Sequence, residues 1–177
     1  GYLLFYEKDD QESWVWEEWF AISEDGSYYW VEYDGYDDEY SLYIREKVTY
    51  PIDVKKVRKG SKLDIKEGYS IKVNDRGTGR IKNIVGEIPW DAQVGQYIKY
   101  AEGYGDDKKQ YVVEYTENEI ELFEKIDIKI ADIFSGFNLK QEEANYKKKK
   151  KSRGQNRLIQ ILSMILAVFG VIGGIVS

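Results

Sequence analysis

Residues 14–46 read WVWEEWFAISEDGSYYWVEYDGYDDEYSLYIRE. Aromatic and branched side chains favour extended backbone, and the glycines are spaced as turns. Trp14–Ser23 runs into Glu24-Asp25-Gly26, a hairpin signal. Ser27–Tyr33 ends at Asp34-Gly35 and an acidic turn, and Glu39–Glu46 sets Tyr40, Leu42 and Ile44 on one face at period two. The stretch reads as a three-stranded antiparallel meander. Trp14 and Trp16 share one face of the first strand and Trp19 takes the other.

The same pattern extends outward. Pro51 and the lysine-rich 55–62 stretch form a polar connection. Leu63–Lys66, the Glu67-Gly68 turn and Tyr69–Asn74 read strand, turn, strand. Asp75–Gly79 reads as a further turn, and Arg80–Ile88 as a strand that Gly86 interrupts with a bulge and Pro89-Trp90 ends. Val94–Glu102 and Gln110–Tyr115 flank a long hairpin loop, and Glu119–Lys125 is the last strand. Ile126, Ile130, Phe134 and Phe137 then fall at helical spacing, with Asp127 as the N-cap. The expectation is a mainly β domain over residues 1–137. Its antiparallel meander sheets form a small sandwich or barrel-like body, with one short helix near 127–137.

Composition narrows the chemistry. The 177 residues include no histidine and no cysteine, which excludes imidazole bases, thiol nucleophiles and His- or Cys-ligated metal. No phosphate-binding glycine loop or nucleophile elbow is present. The formal charge of −6, from 26 basic and 32 acidic residues, is unevenly spread. Lys147, Lys148, Lys149, Lys150, Lys151, Arg153 and Arg157 are the only charges after residue 146, so residues 1–146 hold 19 basic and 32 acidic groups.

Residues 158–176, LIQILSMILAVFGVIGGIV, carry no charge. As a helix they would span roughly 28 Å, close to the hydrocarbon thickness of a bilayer. The expectation is a C-terminal transmembrane helix behind a polar, then basic, linker at 138–157. Flanking positive charge places the β domain at the cytoplasmic face of the cell membrane, with the seven basic residues contacting anionic lipid headgroups. Gly170 and Gly174 have the spacing that lets two such helices pair, which would give a homodimer. The acidic domain argues against nucleic acid as a partner.

One set of residues resembles a known family. Asp75-Arg76-Gly77-Thr78-Gly79, then Val85-Gly86-Glu87-Ile88-Pro89-Trp90, then Val94-Gly95 follow a pattern R-G-T-A, V-x-G-E-x-P-W, V-G-D. Glu18-Trp19-Phe20, Asp25-Gly26 and Tyr29-Trp30-Val31 fit that family's opening hairpin. The pattern resembles the bacterial domain-of-unknown-function family four-one-seven-eight over residues 13–134. The resemblance implies a β-rich, often membrane-associated module and lends no catalytic residue or cofactor. Gly79 stands where the family has Ala, and Gln96 where it has an acid. The family's F-x-V-x-G strand is not found upstream of Tyr2, and the chain opens with Gly1 rather than Met, so a shortened N-terminus is expected.

Bland readings prevail for the remaining candidates. Arg76 and Glu87 are expected to satisfy each other or nearby backbone. Asp34, Asp37, Asp38 and Glu39 lack the alternate spacing of a Ca²⁺ loop and read as a solvated turn. Trp14, Trp16, Trp19 and Trp30 read mainly as core, with one left as a contact point. The function that follows is a non-enzymatic, membrane-anchored module that binds a protein partner or senses the membrane. The alternative is a carboxylate-dependent hydrolase or sugar-binding domain using Glu17, Glu18 and the tryptophans.

Overall fold

The computed structural model describes residues 1–8, 13–22, 26–136, 143 and 145. The chain divides into two units, Gly1–Ile128 and Lys129–Ser177. The first is built from nine strands: β1 (Tyr2–Lys8), β2 (Ser13–Ile22), β3 (Tyr28–Asp34), β4 (Glu39–Glu46), β5 (Lys62–Lys66), β6 (Tyr69–Val85), β7 (Tyr97–Gly105), β8 (Gln110–Tyr115) and β9 (Ile120–Ile128). All pair antiparallel in the order β1-β2-β3-β4-β9-β8-β7-β6-β5, and β1 also pairs with β6. That last pairing closes eight strands into a barrel and leaves β5 as a flap on the first part of β6. A barrel, not a sandwich, is therefore the outcome.

The expected meander is present as β2, β3 and β4, in register from Ile22↔Tyr28 to Asp34↔Glu39. Tyr40, Leu42 and Ile44 share the outer face, while Ser41 and Tyr43 point inward on the alternate one. The strand series does not begin at Trp14, however. Tyr2–Lys8 is the strand that closes the barrel, paired with β2 on one side and with β6 on the other.

The largest departure concerns Asp75–Gly79, expected to be a turn. It lies inside a single 17-residue strand, with Arg76 opposite Ala101 and Gly79 opposite Ile98. Tyr69–Asn74 and the strand expected from Arg80 are therefore one. The glycines serve close approach instead. A Cβ on Gly79 would stand 2.6 Å from the Trp16 ring and 3.1 Å from Phe5, and one on Gly77 would collide with the Glu7 carboxylate and the Tyr100 hydroxyl. The β6 register also shifts between Val73 and Asp75, which bends the strand from its flap end into the barrel wall.

Two apolar clusters stand out among the described residues of this unit. Leu3, Phe5, Trp30, Tyr43, Ile81, Ile98, Val112 and Phe123 pack inside one end of the barrel. The β6–β7 connection folds beneath them and brings Ile88, Trp90 and Ala92 against the cluster, with the Trp90 ring 5.5 Å from that of Trp30. The second cluster lies outside the β6–β9 wall. There β5 (Leu63, Ile65) and the Ile52–Val57 segment cover Ile71, Val73, Ala101, Tyr111, Val113 and Leu122.

In the second unit, α1 covers Ile130–Gly136. Asp127 is not its N-cap, because it still pairs with Ser41 in β9. The Asp132 carboxylate instead reaches back to the Lys129 N–H at 3.1 Å, one half of a capping box. Among the described residues no helix is long and apolar enough to cross a membrane. The apolar run 158–176, its Gly170 and Gly174, and the basic Lys147–Lys151, Arg153 and Arg157 lie outside the described residues.

Since the Trp16 ring occupies the space a Gly79 side chain would need, Gly79→Val is expected to destabilise the barrel by about 1–3 kcal/mol. Urea unfolding followed by tryptophan fluorescence measures this.

Candidate functional site

Strand alternation puts Trp14, Trp16 and Glu18 inside the barrel and Glu17 and Trp19 outside. The same alternation turns Glu32 and Asp34 of β3, Ser41 and Tyr43 of β4, Tyr100 and Glu102 of β7, Glu114 of β8 and Lys125 of β9 inward. Above the apolar plug these side chains surround a cavity of about 780 Å³. Its mouth is ringed by Trp14, Tyr36, Asp37, Glu39, Asp75 and Asp127, with Lys59 held to Asp75 at 3.6 Å.

The lining is polar in a way a barrel interior seldom is, and most of it is satisfied. Lys125 lies between Glu32 (3.2 Å) and Glu102 (3.5 Å), with its ammonium 5.6 Å from the Tyr43 ring centre. Burial works against that ammonium's charge, but the two carboxylates outweigh it and hold Lys125 above its ordinary pKa. The Tyr43 hydroxyl donates to Glu32 at 2.8 Å, and the Gln110 amide donates to Glu102 at 3.3 Å. Burial still raises Glu32, partly offset by Lys125 and Tyr43. Burial and then Glu32 push the Tyr43 phenol well above its usual range.

Glu7 occupies the closing seam. Its carboxylate accepts the Thr78 N–H at 3.0 Å and the Tyr100 hydroxyl at 3.0 Å, just past Tyr6↔Arg80, where the β1–β6 pairing ends.

Two carboxyls are less well provided. Glu18 accepts the Trp16 indole N–H at 2.8 Å. Burial first, then Glu114 and Glu32, lift it well above the usual carboxylate range. Glu114 has neither a hydrogen bond nor an ion pair among the described residues. It is half-buried and lines the cavity. Burial, then repulsion from Glu121 and Glu32, pushes it up to about 8. Glu121 is itself paired to Arg45 at 2.8 Å.

The residues singled out in the sequence are distributed as follows. Glu17 and Glu18 face opposite sides of β2, so they cannot act together on one substrate. Arg76 and Glu87 do not meet: Arg76 lies within β6, while Glu87 follows its far end beside Gly1. Gly77 and Thr78 belong to the seam with Glu7. Gly86, Glu87, Pro89, Trp90 and Gly95 belong to the β6–β7 connection at the plugged end, where the Gly95 N–H bonds to the Ile81 carbonyl at 2.8 Å. Apart from Arg76, these motif residues build the barrel and do not line the cavity.

Asp34, Asp37 and Glu39 line the mouth, and Asp34 closes its own turn by accepting the Tyr36 N–H at 2.7 Å. Among the described residues no three acids are grouped to hold a metal ion. The tryptophans divide between cavity wall (Trp14, Trp16), barrel plug (Trp30, Trp90) and a buried outer position (Trp19). Glu32, Glu102, Glu114 and Lys125 were not singled out by the sequence. The available signal was a charge at inward positions of strands whose neighbours alternate apolar and polar.

No protein family, curated protein or solved structure matches the chain.

Replacing Lys125 with Met leaves Glu32 and Glu102 inside the barrel without a counter-ion, and is expected to cost about 3–5 kcal/mol. Adding Glu32→Gln should recover part of that loss in the same urea titration. A second expectation follows from Glu114, whose folded pKa lies above the unfolded value near 4.5. Its contribution is fully present below that unfolded value and is lost as pH rises towards about 8. The melting temperature, read by circular dichroism, should therefore fall from pH 5 to pH 8, and the fall should shrink in Glu114→Gln.

Proposed function

We propose that this chain is a non-enzymatic binding module whose barrel takes a small polar ligand into its interior. The carrying observation is the cavity of about 780 Å³, plugged at one end and open at the other, with aromatic and carboxylate side chains converging on it. Closed eight-stranded barrels have room for one small ligand, and concave aromatic walls with a few polar groups are what such ligands require. The cavity favours a small molecule over the protein partner expected from sequence. Catalysis gains no support from Glu17 and Glu18.

The tether remains part of the proposal on sequence grounds. The apolar 158–176 run is proposed to anchor the barrel in the cell membrane as a single span. The basic 147–157 stretch would lie against anionic headgroups and keep the barrel at the cytoplasmic face. Pairing through Gly170 and Gly174 belongs to the same proposal, as does membership of the resembling domain family.

Ser41, buried in the cavity wall, provides the test. Saturation-transfer NMR of the full chain against a mixed fragment set should show a group of binders that Ser41→Trp, which projects an indole into the cavity, no longer binds. Identical binders in both proteins would remove the cavity from the function. For the tether, the full chain should stay with membranes through alkaline carbonate washing, and a chain lacking residues 158–176 should be released.

A further inference from the structure

We propose that the ligand is an organic cation with a primary ammonium head, seated against Glu114 and Glu18 with its carbon body among Trp16, Tyr43 and Tyr100. This rests on the cavity reading above and names the ligand's chemical class.

The argument begins with the charges deep in the barrel. Among the described residues, Glu7, Glu18, Glu32, Glu102 and Glu114 share the cavity with Lys125, and the other basic residues that line it, Lys59 and Arg76, are exposed. Lys125 is engaged by Glu32 and Glu102, and Glu7 by Thr78 and Tyr100. Glu18 has one indole donor, and Glu114 has none. Both are half-buried in the cavity wall, and carboxylates drawn partly out of water are stabilised by an opposite charge. A bound ammonium supplies both the donors and the positive charge that the protein withholds.

The walls agree with that guest. Trp16 and Tyr100 meet edge to face with ring centres 6.2 Å apart, and Trp16 stacks on Phe5 at 5.1 Å. Rings beside a cation attract it through their electron-rich faces, most strongly where water is excluded. Asp34, Asp37 and Glu39 at the mouth draw positive ligands inward and repel anions. A neutral guest would leave the excess of carboxylates around the cavity without a counter-charge. A bare divalent ion would need several oxygens in one shell, and no such group occurs among the described residues.

Binding should be linked to protons. Glu114 stands opposite Glu121 on β9 and Tyr100 on β7, and feels the charges of Glu32 on β3 and Glu18 on β2. With a pKa of about 8 it holds its proton at neutral pH and must release it to pair with an ammonium. Affinity should then tighten about tenfold per pH unit up to that value.

The experiment is isothermal titration of the full chain with three probes of matched skeleton: phenethylammonium, 2-phenylethanol and 3-phenylpropionate. Phenethylammonium should bind, about tenfold more tightly at pH 7.5 than at pH 6.5, and release a proton that shows as a buffer-dependent heat. Glu114→Gln and Glu18→Gln should each weaken it at least tenfold while melting cooperatively. Equal binding of the alcohol or the acid, or no effect of either variant, overturns the ammonium assignment and leaves the cavity reading intact. Failure of all three probes also overturns the assignment. The cavity reading itself fails only if Ser41→Trp leaves the fragment binders unchanged.

Discussion

The ladder between β1 and β6 turns a nine-stranded sheet into a closed barrel, and every interior property depends on it. Backbone pairing runs from Tyr2↔Val85 to Tyr6↔Arg80, and the Glu7 carboxylate continues it by taking the Thr78 N–H. Closure removes the sheet edges of the eight wall strands and gives each an inside and an outside. Without it, Glu18, Glu32, Glu102 and Glu114 would lie on an open face in water. With it they share one confined space with Lys125. Gly77 and Gly79 belong to the same constraint, because the seam and the Trp16 ring leave no room for side chains there.

Stability and binding capacity are divided along the barrel. The plugged end, with Leu3, Phe5, Trp30 and Phe123 above Trp90, and the outer cluster beneath β5 supply the apolar burial that folds the chain. The open end stays polar and unfilled. Glu114 is the clearest sign of this division. A carboxyl that is repelled by its neighbours and has no hydrogen bond among the described residues lowers stability, and natural proteins hold such groups mainly where they act. The −6 formal charge conceals the arrangement, since much of the acidity is directed into the barrel and around its mouth.

Much of the fold was legible because period-two alternation survives single-sequence reading. The β2–β3–β4 meander followed from Trp14–Glu46, and β8 followed from Gln110–Tyr115. Asp75–Gly79 misled because charged and glycine residues signal turns locally, whereas here glycine answers to Glu7 and Trp16, far away in the chain. Asp127 misled for a related reason: its side-chain chemistry suits a helix cap, but pairing with Ser41 holds it in β9. Of the cavity lining, Trp14, Trp16, Glu18, Arg76 and the mouth acids Asp34, Asp37 and Glu39 were named beforehand. Glu32, Glu102, Glu114 and Lys125 look like any solvent-side charges of alternating strands.

Sequence alone determined that the domain is antiparallel β, that it lacks imidazole and thiol chemistry, and that acidic and basic charge are segregated along the chain. These are properties of composition and local period, and they need no partner from elsewhere in the chain. Tertiary structure decided which face of each strand is the inside. A strand's two faces are equivalent until the sheet curls, and curling is fixed by the contact between residues 2–6 and 80–85. That long-range contact makes Glu114 and Lys125 neighbours of a cavity, and no local pattern encodes it.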